Sequence, residues 1–214
     1  SEKNKINLEI LKYINRVSDF LFVLARQNNK KEILWVPLKN RWILIMQIKN
    51  RIASFQKEMT SWRHYFHENP ELAYKEINTS KKVVELLKSF GIDKIEEGLG
   101  KTGVVATLEN GTGKSIGLRA DMDALPIFEE NNDKKYKSKT DGKMHACGHD
   151  GHTAMLLGAA KYLSETKNFN GKVILIFQPA EEGFAGAKAM IEDGLLDKYP
   201  IDEIYGMHNM PGLE

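Results

Sequence analysis

Side chains that commonly bind divalent metal ions occur in four short clusters between residues 121 and 208. In the densest cluster, residues 145–152 (HACGHDGH), a cysteine lies two residues from a histidine. Thiolate and imidazole groups bind Zn²⁺, Mn²⁺ and Co²⁺ to differing degrees. The clusters contain Asp121 and Asp123, Cys147 and His149, Glu181 and Glu182, and His208. Together they predict a hydrolytic metal site lined by carboxylates, imidazoles and a thiolate.

Each cluster alone also has an ordinary structural interpretation. An isolated cysteine is usually a small buried hydrophobic residue. Adjacent glutamates are usually a solvated pair, and a single histidine such as His208 is more often structural than a ligand. The prediction of a metal site therefore depends on all four clusters meeting in one place.

Hydrolysis at a pair of metal ions would give the two glutamates different tasks. Two ions about 3.5–4 Å apart can acidify one water molecule and polarise a carbonyl group. A carboxylate that is not a ligand must then take the proton of the water and pass it to the leaving amine. From the pattern alone, either Glu181 or Glu182 could be this base. Asp121 and Asp123 are typical of carboxylates that orient ligand histidines.

The elements that must position these clusters alternate between strands and helices. This alternation predicts an α/β fold, a helix-flanked and mostly parallel sheet. In such sheets ligands bind at the carboxyl ends of the strands, which three of the clusters follow directly. Apolar runs predict strands at residues 104–108, 116–120, 172–177 and 204–207, and helices at about 6–26, 47–67, 78–90, 153–163 and 185–193. Between the first two strands, residues 110–113 (NGTG) carry a hairpin signal.

At these residues the chain resembles the amidohydrolase branch of the aminoacylase-like dinuclear metallopeptidases. This group includes hippurate hydrolase, N-acyl-amino-acid amidohydrolases and plant indole-acetyl-amino-acid hydrolases. The resemblance covers about 165 residues, in the order and spacing of the family. The matching segments are residues 62–71 (WRHYFHENPE), 118–126 (LRADMDALP), 144–153 (MHACGHDGHT), 178–183 (QPAEEG) and 206–209 (GMHN).

The resemblance implies a role for each matching residue. Cys147, His149, Glu182 and His208 would be ligands of two divalent metal ions (Mn, Zn or Co), with His149 between the ions. Glu181 would be the general base. Asp123 would support the ligands without binding an ion itself. His145, Asp150 and His152 match the motif without an assigned ligand role.

The resemblance also implies that part of the family's catalytic domain is absent. Members of the family have a further histidine ligand near their C-terminus and an inserted lid domain that carries the dimer contacts. Neither follows the fourth cluster in this sequence, so an incomplete catalytic domain is expected. The expected activity is hydrolysis of N-acyl amino acids or related small amides, by a form that is truncated and either weakly active or inactive.

The N-terminal residues resemble a different family. Residues 5–35 resemble the last helix of ATP:cobalamin adenosyltransferases, in which Asn15 would contact ATP. A single helix of that five-helix bundle cannot form the nucleotide site. The expected organisation is therefore residues 1–45, a separate amphipathic helix with a linker, followed by residues 46–214, the amidohydrolase part.

Composition and charge exclude several other classes of protein. The apolar runs are too short to span a bilayer, and no signal peptide is apparent. The single cysteine rules out an internal disulfide, so a cytoplasmic location is expected. Residues 1–52 carry eleven Lys or Arg against four Asp or Glu, but these bases are scattered among apolar residues. The predicted partner is a small-molecule substrate, with no nucleic acid and no membrane.

Two alternatives to an amidohydrolase remain open from the sequence. One is a non-catalytic metal-binding remnant, and the other is a remnant of a cobalamin adenosyltransferase. The second would need nucleotide-binding residues from the earlier helices of that bundle. Metal-dependent hydrolysis of an N-acyl amino acid would separate an amidohydrolase from a non-catalytic metal-binding remnant.

Overall fold

The computed structural model describes residues 50–130 and 134–209. The helix expected at residues 6–26 and the resemblance at residues 5–35 lie outside this part of the chain. The predicted boundary between residues 45 and 46 also lies outside it. Residues 57–208 form one compact unit, and of the other unit the structure describes only residues 50–56 and 209, with residues 50–54 helical. Within the described residues, no helix has the length and apolar character needed to cross a membrane.

In the described part of the chain, five strands form a mixed sheet in the order β1-β2-β4-β3-β5. Strand β3 is parallel to both β4 and β5, whereas β2 is antiparallel to both β1 and β4. The bounds are β1 (Ile95–Leu99), β2 (Gly103–Asn110), β3 (Ser115–Asp121), β4 (Gly171–Gln178) and β5 (Glu203–Gly206). The α/β class predicted from the sequence is therefore confirmed, with equal numbers of parallel and antiparallel neighbours.

Helices accompany the sheet, and their apolar faces supply much of the core. The bounds are α1 (Gln56–Glu68), α2 (Ile77–Ser89), α3 (His149–Thr166), α4 (Gly186–Glu192) and the single turn α5 (Leu195–Lys198). Val83 and Leu87, four residues apart on α2, are fully buried. Helix α3 packs closely on α1, because a Cβ atom on Gly158 would lie only 2.8 Å from the Met59 side chain.

The hairpin predicted at residues 110–113 is wrong, because β4 lies between β2 and β3. Gly111 and Gly113 in this connection accommodate another part of the chain. A Cβ atom on either glycine would overlap Asn170, the residue directly before β4. The side-chain oxygen of Asn170 also accepts a hydrogen bond from the main-chain N–H of Thr112 at 3.2 Å. The glycines therefore allow close approach of a third segment, which the local sequence cannot reveal.

Strand β4 is the centre of the sheet and is buried on both faces except at Lys172. Its parallel register with β3 pairs Asp121 with Gln178, the last residues of the two strands. The chain beyond β3 and the chain beyond β4 therefore leave the sheet at the same edge. Strand β5 is also parallel to β3, so this edge receives three of the four polar clusters, those of Asp121, Glu181 and His208.

Candidate metal centre

The segment that carries Cys147 and His149 turns sharply into helix α3. Gly148 adopts a φ of 87°, in the left-handed region that glycine occupies without a steric cost from a Cβ atom. Helix α3 then begins at His149, which is completely buried. The first turn of a helix carries main-chain N–H groups and a partial positive charge. At this helix start, His149 contacts Asp123 and His152 contacts Asp121, both at the end of the sheet.

Cys147, His149 and Glu182 converge at this position. One potential ligand atom from each lies within 4.8 Å of the other two. The Nε2 atom of His149 is 3.8 Å from Glu182 Oε1 and 3.7 Å from Glu181 Oε2. His208, beyond β5, reaches the same place, with its Nε2 atom 3.3 Å from Cys147 Sγ. The residues that the sequence singled out as ligands, and the candidate base, are thus brought together.

Asp123 contacts both His149 and the turn of residues 181–183 after β4, which contains Glu181 and Glu182 and is called the glutamate turn below. Its main-chain oxygen is 2.8 Å from His149 Nδ1, and its carboxylate Oδ2 accepts the main-chain N–H of Glu182 at 2.9 Å. His149 Nδ1 is therefore the hydrogen donor, and Nε2 carries the only available lone pair. One imidazole nitrogen can bind only one ion, so this geometry argues against the expectation that His149 lies between two ions.

A second histidine on α3, His152, is also oriented by an aspartate that contacts its Nδ1 atom. Nδ1 of His152 lies 2.7 Å from Asp121 Oδ1, and Arg119 Nη1 donates to the other oxygen of Asp121 at 2.8 Å. Asp121, His149, His152 and His208 form another group of potential ligand atoms within 4.8 Å. From the sequence alone, His152 has no assigned ligand role. Its spacing of three residues from His149, on one helical face, is the signal that could have associated it with the site.

The charges around Cys147 suit a divalent cation. Burial raises the pKa of the Cys147 thiol to about 12, and the neighbouring carboxylates, Glu182 foremost, add to this effect. Burial opposes the charged form of His149, but Asp123 and Asp121 outweigh it and raise the pKa of this histidine. A cation at this point would offset the negative charge and favour the thiolate.

Two buried atoms provide a direct test of whether a metal fits these residues. Among the described residues, His149 Nε2 and Glu182 Oε1 have no hydrogen-bond partner. Buried polar atoms are normally satisfied, so each such atom calls for an explanation. A metal ion bound between them would satisfy both atoms and would also contact Cys147. The donor set and the unsatisfied atoms therefore fit a metal centre.

The chain is similar to known hydrolases. The sequence profile of peptidase family M20/M25/M40 matches residues 117–214. The chain is 56% identical over 167 residues to a hippurate hydrolase from Campylobacter jejuni, covering 78% of this chain and 43% of that protein. It is 46% identical over 164 residues to an N-acetyl-L-cysteine deacetylase from Bacillus subtilis, covering 76% of this chain and 38% of that protein.

Among solved structures, the fold is similar to that of a dinuclear metal-binding peptidase of family M20 from Bacillus subtilis. The TM-score is 0.69 at 42% sequence identity, over 75% of this chain and 44% of that one. This chain therefore spans less than half the length of the relatives that it matches.

Proposed function

We propose that this chain, which carries part of a peptidase M20 domain, is a metal-dependent amidohydrolase that cleaves the amide bond of N-acyl amino acids or related small amides. The observation that carries the proposal is the convergence of Cys147, His149 and Glu182 within 4.8 Å, beside a second carboxylate, Glu181. The names of the relatives support a small amide substrate, because one is a hippurate hydrolase and another a deacetylase.

The proposed ligands of two divalent ions (Mn, Zn or Co) are Cys147, His149, Glu182 and His208. When bound, such ions polarise the amide carbonyl and acidify a water molecule. Cys147 would hold these ions together with the other three residues. Its sulfur has several lone pairs, belongs to the group with His149 and Glu182, and lies 3.3 Å from His208 Nε2.

The two glutamates differ in a way that supports separate roles. Glu182 Oε1 is buried and has no hydrogen-bond partner among the described residues, as expected of an atom directed at an ion. The side chain of Glu181 is 34% exposed, against 24% for Glu182, while its Oε2 atom still lies 3.7 Å from His149 Nε2. Glu181 is therefore the proposed base, because it reaches both the site and the solvent that supplies substrate and water.

Asp123 would then act as a positioning residue. By holding His149 Nδ1 and the Glu182 N–H, it orients one ligand from α3 and one from the turn after β4. Its burial would raise the pKa of its carboxyl group, but the bonds from His149 and from the Glu182 and Glu181 main chain lower it. Asp123 therefore stays ionised, which suits a carboxylate that supports a ligand histidine.

The location that we propose is the cytoplasm, because a cysteine that serves as a metal ligand must stay reduced.

The alternative function is a non-catalytic metal-binding protein. It differs from the amidohydrolase only in turnover, so metal binding and hydrolysis must be measured separately. The adenosyltransferase alternative depends on residues 5–35, outside the described part of the chain.

The test compares the whole chain with two variants of the glutamate pair. After removal of metal by a chelator, Mn²⁺ or Zn²⁺ is added, bound metal is measured by elemental analysis, and hydrolysis is assayed with hippurate and N-acetyl amino acids. We expect Glu181→Gln to keep metal and to lose at least about a hundredfold in turnover, and Glu182→Gln to lose metal. A matched control is Glu85→Gln, on the exposed face of α2.

Three results would count against the proposal. Failure of the wild-type chain to bind metal would overturn the metal centre. Metal binding without hydrolysis of any N-acyl amino acid would favour the non-catalytic alternative. Full turnover of Glu181→Gln would overturn the assignment of the base.

A further inference from the structure

A buried ionic cluster lies next to the proposed metal centre but is not part of it. At its centre is His67, in the last turn of α1, with only 3% of its surface exposed. The carboxylates of Asp150 and Glu129 flank this imidazole, and their side chains are both 1% exposed. The proposed hydrolytic chemistry uses none of these three residues, so the cluster requires a separate explanation.

The hydrogen bonds of His67 favour a positively charged ring. Its Nδ1 atom is 2.9 Å from Asp150 Oδ2, and its Nε2 atom is 3.2 Å from Glu129 Oε1. An ionised carboxylate can only accept hydrogen bonds, so both ring nitrogens donate. The hydrogen bond to Asp150 is the foremost influence on the pKa of His67 and raises it, against the opposing effect of burial.

The cluster connects three separate parts of the chain. His67 belongs to α1, and Glu129 belongs to the segment beyond β3, where it also accepts the main-chain N–H of Ser138 at 2.7 Å. Asp150 is in the first turn of α3, and Arg63 also donates to it, at 3.2 Å. Asp150 directly follows His149 and comes three residues after Cys147. Any displacement of Asp150 therefore moves the main chain that carries both of these proposed ligands.

Loss of the positive charge on His67 would disturb this cluster strongly. Two buried carboxylates would lose the charge between them, and a buried ion pair that loses one partner is strongly destabilising. Metal ligands must be held within about 0.5 Å of their productive positions, so a small shift of the helix start is enough to weaken binding. Arg63 cannot fully replace His67, because its side chain is 47% exposed and contacts only the Asp150 end of the cluster.

We propose that His67 is a positioning residue of the metal centre, which acts through Asp150 to hold Cys147 and His149 in ligand geometry. This inference rests on the proposed function, because it assumes that these two residues bind metal. His67 itself contacts neither the ion nor the substrate. Its influence passes through one hydrogen bond to the residue that follows a ligand.

The experiment measures Co²⁺ binding to the whole chain and the absorption of bound Co²⁺, including the thiolate-to-metal band that reports on Cys147. We expect His67→Gln to weaken Co²⁺ binding by about 10- to 100-fold and to change this band, which is the usual range for partners that orient ligands. Asp150→Asn should have a similar effect. The double variant should bind Co²⁺ only slightly more weakly than either single variant, because the two residues act as one unit.

The matched control is His64→Gln. His64 lies on the same helix, stacked on Tyr136 with ring centroids 3.7 Å apart, and it should bind Co²⁺ as the wild type does. Folding of each variant is checked by circular dichroism. If His67→Gln does not fold, Asp150→Asn decides the question.

Wild-type affinity and an unchanged absorption band in a folded His67→Gln or Asp150→Asn variant would overturn the inference. So would an equal loss of affinity in His64→Gln, since the effect would then belong to α1 in general. If the wild-type chain binds no Co²⁺, both this inference and the proposed function fail. If the wild type binds Co²⁺ and only the His67 effect is missing, the proposed function stands.

Discussion

Asp123 contacts His149 through two of its oxygen atoms. The main-chain oxygen is 2.8 Å from His149 Nδ1, and the carboxylate Oδ1 is 3.3 Å from the same nitrogen. The other carboxylate oxygen accepts the N–H of Glu182. One residue, two positions beyond β3, therefore supports proposed ligands from two other segments, 26 and 59 residues further along the chain.

Substitution of Asp123 by alanine should weaken metal binding without removing any proposed ligand. The main-chain contact to His149 would remain, but the Glu182 N–H would lose its acceptor and His149 would lose one of its neighbouring negative charges. We expect about 10- to 100-fold weaker Zn²⁺ binding, measured by competition with a chromophoric chelator. The control is Asp93→Ala, at an exposed position before β1. Unchanged affinity in Asp123→Ala would exclude a positioning role for the carboxylate.

Glu76 accepts a hydrogen bond from Ala180, directly before the glutamate turn, and should make the stability of the fold depend on pH. It is completely buried, and it accepts the Ala180 N–H at 2.9 Å and the Thr102 hydroxyl at 2.6 Å. Burial raises the pKa of this carboxyl above its usual 4.5, although these hydrogen bonds oppose the effect. The folded state therefore holds this proton more tightly than the unfolded state, so the contribution of Glu76 to stability falls as pH rises above about 4.5.

Glu76→Gln should remove this pH dependence, because the amide does not ionise yet can still accept the Ala180 N–H. Glu76→Ala should instead lower the free energy of unfolding by about 1–3 kcal/mol, because a buried N–H loses its partner. Urea unfolding between pH 4.5 and 8 measures both effects. Equal stability of the alanine and glutamine variants would show that the hydrogen bond to Ala180 contributes nothing.

Local patterns in the sequence were sufficient to predict most helices and strands. They were not sufficient to predict which strands lie next to each other in the sheet. Strand β4 was predicted at residues 172–177 because its uninterrupted apolar run is typical of a strand buried on both faces. Its place between β2 and β3 could not be predicted, because it depends on the approach of Asn170 to glycines nearly 60 residues earlier. Strand β1 (IEEGL) was not predicted, since its polar residues resemble a loop.

The same distinction applies to the candidate site. The order of residues places three of the four polar clusters directly after strands, and this is enough to expect that they meet. Which oxygen supports which histidine depends on contacts across long stretches of chain, such as Asp121 with His152 over 31 residues and His67 with Asp150 over 83 residues. Periodicity and spacing carry no information on such pairs.

The ion pair of Asp150 should be lost in acid. Although burial disfavours its charged form, the bond from His67 and the nearby positive charges lower its pKa from 3.8 to about 2. A carboxyl with a lowered pKa stabilises the folded state above its unfolded pKa, and this contribution disappears as pH falls from about 4 to about 2. The difference corresponds to on the order of 2 kcal/mol. Urea unfolding at several pH values in this range should show the loss in the wild type and a weaker slope in Asp150→Asn.

Two glycines with opposite surroundings should respond oppositely to substitution by alanine. A Cβ atom on Gly113 would overlap the main-chain oxygen of Asn170, whereas a Cβ atom on Gly151, in the first turn of α3, would have no heavy atom within 4 Å. Gly113→Ala must therefore push apart the turn after β2 and the start of β4, at a cost of about 1–3 kcal/mol. Gly151→Ala should gain about 0.5–1 kcal/mol, because alanine loses less backbone entropy than glycine when a helix forms. Thermal unfolding without metal should show a Tm several degrees lower for the first variant and slightly higher for the second, since 1 kcal/mol corresponds to about 2–4 °C for a chain of this size. A wild-type Tm for Gly113→Ala would mean that β4 does not approach this turn as closely as described, and with it the explanation for the missing hairpin would fail.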